Sequence, residues 1–413
     1  MQIGFVNFNT DEKKRIAEMM QLLREPEAVE ELGIGRVRDH FSNTLFPGTS
    51  SLQHHAKYFV VLPWIYDNAI NSKERFKDRA AVDAYIRQQE VRLTLRLAKA
   101  NRDDNGITGK SFVEDYVDQE VDLDKIDYKK YVKYNPTYIY SSGMYRYGIV
   151  SDSNIERLIM TLNARKHVEL TEESEERKGF SDDLKTCGID YGQDSQDGLS
   201  LNLTEDEARF LRGRIVTNCQ GTMLEKLILS GSTMPESYFD LDNPEKHGID
   251  LKEFPEIADV YHQSVLFSRF VHLLDWRYNY VYYKSFYGGD QDQQYLERAN
   301  ACDEAYDALL ADMKSLDGYE VLFDEIETID PKLTKFFRKC YAAIVDGSQE
   351  AKDRLDMFVR DREEEVKKKR KKIGNKDYKG KKRSDPQPIQ FRWPTVRTIV
   401  RELAEALNPN TSK

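Results

Sequence analysis

Apolar residues recur at helical spacing along most of the chain. Between Arg36 and Phe46, Val37, Phe41 and Leu45 fall four apart on one face, and Pro47-Gly48 then stops the run. Thr49, Ser50 and Ser51 are good N-caps for a second helix. That helix would bury Leu52, Ala56, Phe59 and Val60 and leave Ser50, Gln53, His54 and Lys57 on the other side. Pro63 predicts a kink or restart within it. A long helix over 73–100 follows, with Phe76, Ala80, Ile86, Leu93 and Leu97 inward and Arg87, Arg92, Arg96 and Lys99 on its polar side. Further helices are predicted after Asn135-Pro136, after Thr204 with Glu207 completing a capping box, across 260–287, and from Phe391 through Leu403. Ile3, Phe5 and Phe8 suggest a short strand, and Asn9 with Glu12 caps a helix that Pro26 ends.

The stretch 170–200 breaks this pattern: it is poor in apolar residues and rich in Glu, Asp, Ser and Gly. The expected architecture is therefore mainly α, in two helical domains. Residues 1–165 form an N-terminal domain with minor β, 166–200 an acidic linker, and 201–413 a C-terminal domain carrying a basic arm at 367–383.

Helix, short turn and helix with a polar face is the outline of a helix-turn-helix, and equally of a plain core hairpin. In the first case Gln53 can read adenine, Ser50 and Lys57 can hold phosphates, and His54 can do either. Residues 128–147 hold seven Tyr, which pack as a half-wet surface or stack on unpaired bases; Ser141 and Arg146 are the polar positions to test there.

Composition narrows the class. Of 413 residues, 39% are hydrophobic and 32% charged, as in a globular protein with a heavily charged surface. No run of 18 apolar residues occurs and the first residues lack the pattern of a signal peptide, so a cytoplasmic location without a membrane span is expected. Cys187, Cys219, Cys302 and Cys340 are far apart, which argues against zinc and for a reducing compartment. The net charge is -10, but it is segregated: Lys367, Lys368, Lys369, Arg370, Lys371, Lys372, Lys376, Lys379, Lys381, Lys382 and Arg383 lie in one run with a single Asp. Such a run is either a solvated arm or a phosphate grip that works by counterion release.

Catalytic motifs do not emerge. The 101–111 turn has Asp104 where a phosphate-cradling loop needs Gly, and Phe112 where an EF-hand needs an acid. Glu365-Val366-Lys367, with Asp346 or Asp356 upstream, is the one nuclease-like triplet. Adjacent His54 and His55 point about 100° apart on a helix and do not share a metal. No catalytic or metal-binding residue and no cofactor is assigned.

The segment ELGIGRVRDHFSNTLFPGTSSLQHHAKYFVVLPWIY resembles the opening of an uncharacterised bacterial family, a domain of unknown function whose members resemble components of phage-defence and DNA-modification gene clusters. The likeness continues at NPTYIYSSGMYRYGI (135–149), LNLTEDEARFLRGRI (201–215) and FRWPTVRTIVREL (391–403). The family pattern implies Thr-Arg-Ala-Arg where this chain has His54-His55-Ala56-Lys57, which weakens any phosphate contact there. The resemblance implies a cellular context and no mechanism. The resulting expectation is a non-catalytic nucleic-acid-binding subunit, for DNA first, of a bacterial antiviral system with a helicase or ATPase as protein partner. A scaffold for such a partner and a metal-dependent nuclease are the alternatives.

Overall fold

In the computed structural model, residues 31–408 are described except 74, 120–125, 170–181, 194, 232–233, 248 and 314–316. The strand expected at 3–8 and the helix expected after Asn9 lie outside the described residues. In chain order the main helices are α1 (Gly35–Leu45), α2 (Tyr58–Ile70), α3 (Arg79–Ala100), α4 (Pro136–Arg146), α5 (Ile155–Glu169), α6 (Glu205–Asn218), α7 (Met223–Ser230), α8 (Pro255–Lys284), α9 (Gln293–Asp312), α10 (Tyr319–Ile329), α11 (Pro331–Asp346), α12 (Gln349–Lys367) and α13 (Trp393–Leu407). Among the described residues there is no strand, only a bridge between Val150 and Leu184. The fold is mainly α, as the spacing predicts.

The backbone divides into two compact units, Met1–Ser42 with Ala258–Phe391 and Asn43–Ile257 with Arg392–Lys413. Residues on both sides of 166–200 fall in the second unit, so this division does not coincide with the domain boundaries expected there.

In the first unit, α10, α11 and α12 follow one another through tight caps. Asp330 caps α11 by accepting from Leu333 N at 3.1 Å, with Pro331 opening the helix. Gly347, at φ 65°, ends α11, and Ser348 caps α12 through Ala351 N at 3.2 Å. The core is aromatic: Phe270 of α8 contacts Tyr319, Phe323 and Phe337 at centroid distances of 4.9–5.5 Å. Residues 31–34 lie on α12, where Arg362 Nε donates to Leu32 O at 3.0 Å. Gly33 is required at that crossing: its φ is +69°, and a Cβ would come within 3.0 Å of Val366.

The second unit is built on α2, whose residues Tyr58 through Pro63 are all buried. The helix continues through Pro63 without the restart that was one of the two expectations there. Burial of Leu62, Ile65 and Tyr66 around it offsets the lost N–H bond. Of the expected linker 166–200, residues up to Glu169 belong to α5, and the other described residues, 182–193 with 195–200, are tied to α2 and α3. Arg96 of α3 donates to Gly192 O and Asp197 O, Arg96 O accepts from Leu199 N at 3.0 Å, and Tyr191 packs edge-on to Trp64. The polar side of α3 is thus tied to its own unit. Lys99 reaches Gln196 O, and Arg87 reaches Asp83 and Val132 O.

Candidate nucleic-acid interface

The expected second helix of the hairpin does not begin at Ser50; α2 begins at Tyr58. Ser50 Oγ accepts from Leu52 N and Ser50 O from Gln53 N, closing a single turn. The next amides find partners from elsewhere in the unit. Tyr140 OH of α4 accepts from the His54 and His55 amides at 3.1 and 3.2 Å, and Glu402 of α13 accepts from Ala56 N at 2.7 Å. A helix would need those N–H groups, so tertiary hydrogen bonds override a good capping sequence. Gly143 allows the approach of α4, since a Cβ there would stand 2.4 Å from Gly48 O.

Of the four hairpin side chains expected to face DNA, Ser50, Gln53 and Lys57 are buried and His54 is exposed. Gln53 is 1% exposed; its amide nitrogen donates to Gly48 O and Ile139 O, and its oxygen accepts from Ser50 N. Lys57 is 3% exposed, with its ammonium 2.7 Å from both oxygens of Glu207. Glu207 is also the third residue of the Thr204 capping box, so one carboxylate caps α6 and neutralises Lys57. Ser50 and Ser141 are buried as well. His54 and Arg146 are the exposed members, and Arg146 lies beside the Cys219 thiol. The expectation that Ser50, Gln53 and Lys57 face DNA is therefore corrected: their polar atoms are consumed in holding the loop.

His55, which the reading of the sequence passed over as a ligand, is the centre of that loop. Its Nδ1 stands 2.8 Å from Glu402 Oε1 and its Nε2 3.1 Å from Asp104 Oδ1. Burial pulls its pKa down, but the hydrogen bond and charge of Glu402, helped by Asp104, outweigh that and hold it above the ordinary value. Both ring nitrogens then donate, and the imidazolium joins α13 to the 101–109 turn. No spacing rule could show this, because Asp104 and Glu402 are 49 and 347 residues away from it.

In the first unit the basic run is shaped differently. After α12 it turns back at Lys368, a residue at φ 51°, and runs antiparallel along α8. Side chains of α8 hold its backbone at successive turns. Ser285 Oγ accepts from Gly374 N, Tyr282 OH donates to Tyr378 O and Lys381 O, and Tyr283 OH accepts from Arg383 N. Asn279 Nδ2 then donates to Ser384 O, His272 Nε2 lies 3.1 Å from Pro386 O, and Ser268 Oγ donates to Ile389 O. At the near end stands Glu363, 0% exposed, accepting from Lys372 N at 2.7 Å, Ile373 N at 3.1 Å and Tyr278 OH at 2.7 Å. Asp275, buried beside Arg383 and Glu31, has its carboxyl pushed well above the usual range by burial.

The cations of the run separate into two sets. Lys367, Lys372 and Arg383 converge on the buried Glu31, Lys371 pairs with Glu364, and Lys379 pairs with Asp292. Arg383 also lies over the Tyr278 ring at 4.7 Å. Lys368, Lys369, Arg370, Lys376, Lys381 and Lys382 are exposed, with no carboxylate partner among the described residues. Lys381 sits 4.4 Å over the Tyr378 ring. The expected grip is thereby reduced: five of its cations neutralise acids of their own unit, and six face outward from a held backbone.

The nuclease-like triplet lies on the last turn of α12. Glu365 pairs with Arg362, Lys367 with Glu31, Asp356 with Arg277, and Asp346 with Arg354. Among the described residues no group of three His, Cys, Asp or Glu side chains is placed to hold a metal, and no helix is long and apolar enough to cross a membrane. All four cysteines are free thiols.

Residues 1–116 match the model of an uncharacterised family, described as a family of unknown function (DUF6361). The segments 135–149, 201–215 and 391–403 lie beyond the matched stretch. No curated protein and no solved structure matches the chain.

Proposed function

We propose that the protein binds nucleic acid through the phosphate backbone, without reading sequence, by the loop that follows α12. The observation that carries this is the outward set Lys368, Lys369, Arg370, Lys376, Lys381 and Lys382 on a backbone fastened to α8. Tethering matters because a cationic arm that is already ordered loses less entropy on meeting a polyanion. Release of condensed counterions supplies the affinity, and the overall charge of -10 favours a local contact over wrapping. Within the same proposal the chain is a non-catalytic subunit of a bacterial antiviral system that works with a helicase or ATPase. The resemblance of its opening segment supports that context.

The test is a salt titration of duplex DNA binding with the triple variant K368E/K369E/R370E. The slope of log affinity against log salt should fall by about 3, near 0.9 for each phosphate contact removed. The loss should be equal for unrelated sequences. An unchanged slope with a folded variant sinks the proposal.

A further inference from the structure

The second unit holds a cleft of about 800 Å³ between the segment before α3 and the outer face of α5. Its size lies within the range of about 300–1,000 Å³ usual for small-ligand clefts. The floor is apolar: Phe76 from the segment, Met160 and Ala164 from α5, all half-buried. Arg75, Lys77 and Arg165 rim it, and all three are exposed. Arg75 and Lys77 have no hydrogen-bond or ion-pair partner among the described residues. Among the described residues Arg165 is met by Asp183 alone, at 3.5 Å, and Asp78, next in the chain after Lys77, is spent capping α3 through Ala81 N.

The segment is held in place. Phe76 N donates to Asn163 Oδ1 at 3.1 Å, and the buried Asn163 donates in turn to Ile70 O at 3.2 Å. The Phe76 ring is set edge-on against Tyr85, with centroids 5.7 Å apart. An apolar floor bearing one aromatic ring, rimmed by three exposed cations of which two have no partner among the described residues, suits a ligand with a planar body and an anionic group. Arginine can both fork onto phosphate and stack on a base, and aromatic rings accept any base face.

We propose that this cleft is a nucleotide site, in which Arg75, Lys77 and Arg165 take the phosphate and Phe76, Met160 and Ala164 take the base. The ligand is a free mononucleotide or a nucleotide within a single strand, and the two sources share this chemistry. The site is independent of the basic loop of the first unit.

Calorimetric titrations of the full chain with AMP, single-stranded oligothymidylate and inorganic phosphate test it, in the K368E/K369E/R370E background so that the loop does not contribute. AMP or the oligonucleotide should bind more tightly than phosphate, and whichever binds better identifies the source. R75E/K77E should weaken that binding at least about tenfold, a change of ~1.4 kcal/mol. F76A should weaken AMP and leave any phosphate binding as it was. The rim side chains are exposed, so folding should survive, and circular dichroism checks it. Absence of binding, equal binding of phosphate and AMP, or indifference to R75E/K77E overturns the site.

Discussion

The loop 46–57 and the loop 368–391 are both polar, and both invite a nucleic-acid reading from sequence. They use their polar atoms in opposite ways. In the first, side chains turn inward: Gln53 and Lys57 complete hydrogen bonds that the backbone and Glu207 would otherwise lack. In the second, the backbone turns inward, its amides and carbonyls bonded to α8 and Glu363, and the charged side chains are left over for solvent. A polar sequence becomes a binding surface only where something else satisfies the chain that carries it. The two loops therefore predict opposite results when their polar side chains are removed.

The largest effect should come from Lys57→Met. It leaves Glu207 buried against Tyr191 without a cation. Breaking one side of a buried pair costs about 3–5 kcal/mol, because the other charge stays desolvated. The urea midpoint should drop accordingly, while duplex affinity of the folded protein stays at the wild-type level. A stable variant with weakened DNA binding would restore the reading-head idea and erase the contrast.

Glu363→Ala should have the next largest effect. It takes away the acceptor of Lys372 N, Ile373 N and Tyr278 OH. Groups that can rotate out to water soften the penalty, so the cost is about 2–3 kcal/mol. Amide hydrogen exchange at 372 and 373 should speed up. Polyanion affinity should fall even though no cation has been removed, since the loop must then be ordered on binding. If exchange speeds up and affinity holds, the cations act as a mobile arm and the tether to α8 is irrelevant to function.

Helical periodicity made α4, α6 and α13 legible, and the caps at Asn135 and Thr204 form as read, including the Thr204–Glu207 box. Local rules worked there because the residues that decide the ends are within four positions of each other. They misplaced the start of α2 because its competing partners, Tyr140 and Glu402, are 85 and 346 residues distant from the amides they accept from. Charge clustering located the basic run. It could not divide the run, since Glu31, which neutralises Lys367, Lys372 and Arg383, is remote in sequence and unremarkable beside Glu30. The apolar floor under Arg75 and Lys77 was missed for a related reason: Phe76 reads as an inward position of α3, but that helix begins only at Arg79.

The smallest effect, and the one that separates the two loops without altering either, is that of pH. The native pKa of His55 lies above its unfolded value of 6.5, burial opposing and the Glu402 and Asp104 carboxylates prevailing. The folded state therefore holds the proton more tightly, so this clamp contributes its full stability below 6.5 and loses it as pH rises through the native pKa. Glu90, whose carboxyl burial pushes up to about 7 against donors from Thr137 and Asn135, titrates with the same sign in an overlapping window. The informative quantity is consequently the difference between wild type and His55→Gln, followed as the urea midpoint against pH. Wild type should lose more stability than the variant as pH rises past 6.5. His55→Gln touches no residue of the basic loop, so at constant salt the duplex affinities of the two proteins should stay equal at every pH. An affinity that tracks the His55 titration would mean that the loop at 46–57 reaches the nucleic acid after all, and the division of labour between the two loops would fail.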